Sequence, residues 1–510
     1  MVAGLTNEAR AGDAFGKILL QENINQQKRK QNRDSKQKSG TSVSKNKEFA
    51  VITYLFLAIF ICLMGYMVYF QTVKSEDFIN SPYNSRQDTF ADRVVRGKIM
   101  SADGKVLAET VVDAAGNETR KYPYGNMYAH VVGFSTNGKS GIESNMNFNL
   151  LRSHSFVLER MFNEIKDEKS MGDNVVTTLD STLQETAYQA LGNYDGAVVV
   201  MEPSTGKVLA MVSKPDFDPN TIAVDWDSII SEDNNNSVLL NRATQGLYPP
   251  GSTFKIITTL EYIRENPDYE NYSYSCNGSI TENDFTIHCY NNAVHGTQDL
   301  KQSFANSCNS SYANIGLSLD TDSLSDLCSD LMFDKTLPGN FETSKSQFKL
   351  TDESPESMKM QTAIGQGETL VTPLHMLLIT SAIANDGILM KPYVVDHTEN
   401  ENGIEVKKYE PAASKQLLSE KEAKTMQEFM AGVVADGTAS KLNGQSYTAY
   451  GKTGSAEFNN NKGESHSWFV GYAHREDKED IAVVVIAEGA GAGSTVAVPA
   501  AKQVFDVYYR

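Results

Sequence analysis

Basic residues are the minority charge of this 510-residue chain: 46 Lys and Arg stand against 64 Asp and Glu, a formal net charge of -18. That balance excludes nucleic acid as the main partner, since a phosphate backbone is met by clustered cations. The sequence shows no internal repeat. His288 beside Cys289 does not read as a metal site, because nothing else nearby has ligand spacing. The composition is otherwise that of a globular protein, 40% hydrophobic and 22% charged. The length allows two or three domains around a large core.

Charge and proline are both missing from residues 49–70, FAVITYLFLAIFICLMGYMVYF. As a helix this run spans about 33 Å, enough for a bilayer core. Tyr54, Tyr66 and Tyr69 lie towards its ends, as interfacial aromatics do. A buried core helix is rarely so uniformly apolar. A cleaved signal peptide would be shorter and followed by an A-x-A site, which is missing. Residues 1–47 carry ten Lys and Arg against four Asp and Glu. The positive-inside rule therefore puts the tail, residues 1–48, in the cytoplasm and everything after residue 70 outside. The tail is polar enough to be expected disordered; it sets topology and can touch anionic headgroups.

Of five cysteines, Cys62 lies in the span, while Cys276, Cys289, Cys308 and Cys328 fall in the exported part, where disulfides persist. Cys276 and Cys289 flank an expected hairpin with a Thr-Glu-Asn-Asp turn. A bridge between them is expected, although sequence alone does not assign connectivity.

The exported body divides by pattern. Residues 71–172 are mixed and irregular, with a hairpin turn at Asp103-Gly104. Residues 173–510 are denser. There STLQETAYQAL predicts a helix with Ser181 as N-cap, and GAVVVMEPSTGKVLAMVS predicts two strands. HSWFVGYA and IAVVVIAE predict two more strands, and the C-terminal VAVPAAKQVFDVYYR has a helical period. Strands at both ends with helices between predict one α/β domain whose sheet joins distant parts of the chain. The Asn-rich stretches at 234–236 and 459–461 are expected to be loops.

Within this body, YPPGSTFKIITTL places Ser252 and Lys255 at a heavily punctuated helix start. Positions i and i+3 share a helix face, so the two side chains can meet. A serine hydroxyl needs a base, and lysine serves if burial or a second cation lowers its pKa. The S-x-x-K pattern occurs at five other places, but only Ser252 opens an apolar helix in the exported body. An S-x-N follows at Ser307-Cys308-Asn309, between two helix-like runs. A second copy, Ser275-Cys276-Asn277, sits in the hairpin region and reads as turn chemistry. A K-T-G occurs at Lys452-Thr453-Gly454, shortly before a strand. Trp468 and Phe469 read as sheet packing, Asp436-Gly437-Thr438 as a turn, and Glu457 as a solvated strand end.

The ordered set S-x-x-K, S-x-N and K-T-G resembles the signature of penicillin-binding proteins and serine β-lactamases. The flanks YPPGSTFK, GVVADGTA, GKTGSAE and HSWFVGYA, with RGKIMSADGKVLAE upstream, are similar to class B penicillin-binding proteins over residues 90–510. The resemblance implies a transpeptidase domain with an antiparallel sheet flanked by helices, above a small mixed pedestal-like domain. It implies a D,D-transpeptidase that cross-links peptidoglycan stem peptides and is acylated by β-lactams. Ser252 would be the nucleophile and Lys255 its base. Ser307 would relay a proton to the leaving D-alanine, and Asn309 would orient Lys255 and the substrate. Lys452 would raise the local potential, and Thr453 would hold the substrate carboxylate. The N–H groups of Ser252 and Ser455 would form the oxyanion hole, and Gly454 would bind substrate together with Thr453 and Ser455. The family uses no metal or organic cofactor, and its expected partner is a polytopic SEDS-family glycan polymerase. A β-lactamase would need an E-x-x-L-N loop, which is missing. A carboxypeptidase using the same site with water, or a non-catalytic cell-wall scaffold, are the alternatives.

Overall fold

The computed structural model describes residues 8–74, 93–155, 165–166, 168–231, 237–457 and 465–510. The chain divides into two units, Met1–Ile79 and Asn80–Arg510. The expected loops at 234–236 and 459–461 lie outside the described residues.

The first unit is built on α1 (Glu8–Tyr69). Its part from Lys47 onward is long and apolar enough to cross a membrane, and Phe49, Phe56 and Met67 stand exposed there. Lipid would cover such a surface. The tail departs from expectation: its backbone is helical from Glu8, where composition predicts disorder. Gln, Lys, Arg and Glu are good helix formers, and no proline precedes residue 82 to interrupt them.

In the second unit the chain forms Ile99–Met100 (β1), Val106–Val112 (β2), Glu118–Lys121 (β3) and Asn174–Thr177 (β4). Gly104, at φ 79°, makes the turn between β1 and β2 where Asp103-Gly104 predicts it. Next come Ser181–Leu191 (α2), Gly196–Met201 (β5) and Val208–Lys214 (β6). The cap of α2 is Asp180, not Ser181: the Asp180 carboxylate accepts from the Leu183 N–H at 2.8 Å. The Ser181 hydroxyl donates instead to Asp103 at 2.6 Å, tying α2 to the β1–β2 turn.

The helix Lys255–Glu265 (α3) leads into four short strands, Tyr274–Cys276 (β7), Ser279–Glu282 (β8), Phe285–His288 (β9) and Gly296–Gln298 (β10). β8 pairs with β9 and β7 with β10, both antiparallel. Then follow Leu300–Ala305 (α4), Asn309–Ser318 (α5), Pro373–Ala384 (α6), Val395–Glu399 (β11), Glu405–Lys408 (β12) and Glu420–Ala435 (α7). The chain closes with Thr448–Glu457 (β13), Ser465–Arg475 (β14), Lys478–Ala487 (β15) and Ala497–Tyr508 (α8).

Among the described residues two sheets dominate. A five-stranded antiparallel sheet runs β13-β14-β15-β5-β6, joining the two predicted strand pairs from opposite ends of the domain. Every residue of β5, and β15 from Ile481 to Ala487, is buried, so both faces are covered. Helices α2 and α8 pack on each other and on the sheet, and α6 packs on β5, β14 and β15. The other sheet, β12-β11-β4-β1-β2-β3, takes strands from both sides of residue 172. β1 lies parallel to β4, and β11 antiparallel to it, so the two expected domains share a sheet.

Glu143, from the short helix Gly141–Asn145, is fully buried between two arginines, one of them Arg120 of β3. Arg96 donates to one carboxylate oxygen at 2.6 Å and Arg120 to the other at 2.7 Å. Burial pushes the Glu143 carboxyl up, but the two guanidiniums outweigh it and hold it below its ordinary range.

Candidate active site

Ser252 lies in a 3-10 turn, Gly251–Phe254, and α3 proper begins at Lys255, three residues later than the sequence predicts. The turn is pinned from several sides. Gly251 has φ 53°, and its N–H donates to the Gly365 carbonyl at 2.8 Å. A Cβ on Gly365 would sit 1.9 Å from the Gly251 oxygen, so the approach requires glycine. The Trp468 indole donates to the Pro249 carbonyl at 3.1 Å. Trp468 and Phe469 are fully buried, as sheet packing predicts.

Ser307, Cys308 and Asn309 form the tight connection between α4 and α5. Ser307 takes the left-handed conformation, φ 55°, and Cys308 caps α5 through its sulfur. The connection faces α3 and β13. The Lys255 ammonium donates to the Ser307 carbonyl and to Asn309 Oδ1, each at 2.8 Å, and reaches Ser307 Oγ at 3.3 Å. Lys452, from β13, donates to the same Ser307 Oγ at 2.8 Å. Both lysines are fully buried. One hydroxyl thus joins two amines delivered by segments about 200 positions apart.

Burial sets the charge of this pair. It drives Lys255 from 10.5 down to about 7, against the weaker pull of Cys308 and Cys289 in the other direction. Lys452 falls well below its usual value, from burial first and the neighbouring Lys255 cation second. Two ammonium groups around one oxygen in a dry site are not both charged at neutral pH. One amine is therefore free to accept a proton.

Thr453 and Gly454 follow Lys452 along β13, which is the edge of the sheet. Gly454 backs onto the Ser252 turn: a Cβ there would meet the Pro250 oxygen and Thr253 Cγ2 at 3.1 Å. Thr453 Oγ1 is 2.6 Å from Thr438 Oγ1. Thr438, which the sequence assigns to a mere turn, is therefore a partner of the site. The GTA string beside α7 carries that signal, but nothing local says which strand it meets. Ser455 Oγ accepts from the Gly493 N–H at 3.3 Å. Glu457 is exposed at the end of β13, as expected.

The rival Ser275-Cys276-Asn277 lies at the end of β7, where Ser275 Oγ is 2.9 Å from Thr297 Oγ1 of β10. The expected Cys276–Cys289 bridge is not formed: the sulfurs are 3.7 Å apart, against about 2.05 Å for a bond. Cys308 stands 3.7 Å from Cys289, and His295 Nδ1 3.4 Å from Cys276. Three cysteines and a histidine therefore converge where the sequence shows no ligand spacing. The donors come from β7, the β9–β10 connection and the start of α5, and only folding brings them together.

Fold and site together define a penicillin-binding class of acyl-transfer domain. The model of the penicillin binding protein transpeptidase domain matches residues 196–506, and that of the penicillin binding protein A dimerisation domain matches 96–175. The chain belongs to the penicillin-binding protein transpeptidase family. It is 31% identical over 432 residues to the peptidoglycan D,D-transpeptidase PbpA of Mycolicibacterium smegmatis, covering 78% of this chain and 84% of that one. The stage V sporulation protein D of Bacillus subtilis is 30% identical, covering 78% of this chain and 64% of its own. Among solved structures, the ceftriaxone acyl-enzyme of Mycobacterium tuberculosis penicillin-binding protein A superimposes with a TM-score of 0.74 at 26% identity. That match covers 83% of this chain and 100% of the other. A D,D-transpeptidase domain from Eggerthella lenta superimposes with a TM-score of 0.72 at 30% identity, covering 82% and 99%.

Proposed function

We propose that this chain is a serine-type peptidoglycan D,D-transpeptidase. The observation that carries the reading is the Ser307 hydroxyl held between Lys452 and Lys255, the latter one turn along the chain from Ser252. Ser252 Oγ attacks the carbonyl between the last two D-alanines of a stem peptide, and Lys255, free of its proton near neutral pH, takes the hydroxyl proton. The N–H groups of Ser252 and Ser455 face the oxygen that becomes negative. The peptide C–N bond then breaks, and Ser307 passes a proton from the lysine pair to the leaving D-alanine. Asn309 holds Lys255 in line. Thr453, beside Gly454, holds the terminal carboxylate, with the potential of Lys452 behind it. An amine of a second strand attacks the acyl-enzyme, releases Ser252 and completes the cross-link. β-Lactams mimic the D-alanyl pair and acylate Ser252.

The anchor puts the tail of residues 1–48 in the cytoplasm and the body outside, with residues 49–70 across the bilayer. Residues 71–172 act as a pedestal for the catalytic residues 173–510. A SEDS-family glycan polymerase in the membrane is the partner that supplies strands, and the reading uses no nucleic acid and no organic cofactor.

Intact-mass spectrometry of the full chain in detergent after exposure to penicillin tests this. A lasting penicilloyl adduct on the wild type, absent from Ser252→Ala, is expected. Rapid penicillin turnover without an adduct would point to a hydrolase, and no reaction by a folded chain to a scaffold.

A further inference from the structure

Cys276, Cys289, His295 and Cys308 have no task in acyl transfer, yet their donor atoms all lie within 4.8 Å of one another. The three sulfurs are buried. Their spacing is not that of a disulfide with a bystander, because the Cys276–Cys289 and Cys289–Cys308 separations are both 3.7 Å. A tetrahedral Zn2+ with bonds near 2.3 Å to sulfur and 2.0 Å to nitrogen sets S···S edges of about 3.8 Å and S···N edges of about 3.5 Å. The Cys276–Cys289, Cys289–Cys308 and Cys276–His295 separations of 3.7, 3.7 and 3.4 Å match those edges, and the other three lie within 4.8 Å. An iron–sulfur cluster would hold its cysteines farther apart than one ion does.

The surroundings are those of bound thiolates. The Gly278 N–H donates to Cys276 Sγ at 3.4 Å and the Ser311 N–H to Cys308 Sγ at 3.5 Å. The Ser310 hydroxyl donates to Cys276 Sγ at 3.1 Å and lies 3.4 Å from the other two sulfurs. Such donors spread the negative charge of metal-bound sulfur.

We propose that these four residues form a closed Cys3His Zn2+ site that clamps the β7–β10 segment to the Ser307–Asn309 turn. Binding converts three thiols to thiolates with the neutral imidazole as fourth donor, so three protons leave and no electron is transferred. Zinc holds four protein donors here and has no open position, so its role is structural. Cys308 lies between Ser307 and Asn309, and Asn309 Nδ2 also donates to the His288 carbonyl at 3.0 Å. The ion thereby fixes the backbone that presents Ser307 in its left-handed conformation and Asn309 to Lys255. This positioning role rests on the acyl-transfer reading above; the metal site itself does not.

The test uses the full chain, purified in detergent without chelator, and elemental analysis for zinc. About one zinc per chain is expected in the wild type and equally in Ser252→Ala, falling at least fivefold in Cys289→Ser and His295→Ala. Because these variants can misfold, the wild type is also stripped and reloaded with Co2+, whose thiolate charge-transfer and tetrahedral d–d bands report the donor set directly. Acylation by a fluorescent penicillin should fall at least tenfold on stripping and return with Zn2+. A chain without zinc, lacking those cobalt bands, or carrying a Cys276–Cys289 disulfide by mass mapping, overturns the site. Zinc present with acylation unchanged on stripping overturns the positioning role alone. Zinc present without any penicilloyl adduct would instead sink the acyl-transfer reading.

Discussion

The pH dependence of acylation should expose the buried lysine pair. Lys255 is brought from 10.5 to about 7, chiefly by burial. That change corresponds to about 5 kcal/mol favouring the free amine. A lysine at its ordinary value would be about 0.03% unprotonated at pH 7, whereas here about half of it is. The gain in competent base is therefore more than a thousandfold at neutral pH. The direction follows: the base form is lost as pH falls through 7 and is complete above it. The second-order rate of Ser252 acylation, followed by stopped-flow fluorescence between pH 5.5 and 9, should rise about tenfold per pH unit below 7. It should then level off. A flat profile from 5.5 to 8, or a rise continuing to 9 without a plateau, would refute the assignment of Lys255 as a buried general base.

Three further perturbations have defined outcomes. Thr438→Val removes the 2.6 Å contact to Thr453 and should slow acylation about five- to tenfold, as one hydrogen bond implies, while the pH profile stays in place. Gly365→Ala places a Cβ against the Gly251 oxygen at a residue with φ 76°; acylation should fall far more than thermal stability does, measured on the same preparation. Glu143→Gln leaves Arg96 and Arg120 without their buried counter-charge and should cost about 3–5 kcal/mol in chemical denaturation. Because the Glu143 carboxyl is held low, its contribution in the wild type is present above the ordinary carboxylate range. It is lost as pH falls below that range, so the gap between wild type and variant should narrow in acid.

Much of the molecule is legible in the linear pattern. The apolar run at 49–70 needs no partner to be recognised, since its length and lack of charge are properties of the segment itself. Alternation likewise marks β5, β6, β14 and β15, and the punctuation before Ser252 marks the start of a helix, which the structure delays to Lys255. Local context also separates the competing motif copies: Ser307 sits between helices and Ser275 in a run of short strands.

What the pattern could not reach depends on which surfaces meet. Periodicity identifies a strand but not its neighbour, so it says nothing of β4 lying parallel to β1 and antiparallel to β11 across the expected domain boundary. The cap of α2 passed from Ser181 to Asp180 because the Ser181 hydroxyl found Asp103 instead. Thr438 gained a role only when α7 and β13 brought it to Thr453. The cysteines show the same division most clearly. Their sequence separations of thirteen, six and thirteen positions match no local ligand motif, and the pair expected to bridge is one edge of a four-cornered cluster. Sequence by itself determined the apolar span, four strands of the five-stranded sheet and the three motifs proposed for acyl transfer, because each is written in short-range pattern. Tertiary structure alone decided the burial that lowers the pKa of Lys255 and the meeting of three sulfurs and an imidazole, because both depend on contacts between distant parts of the chain.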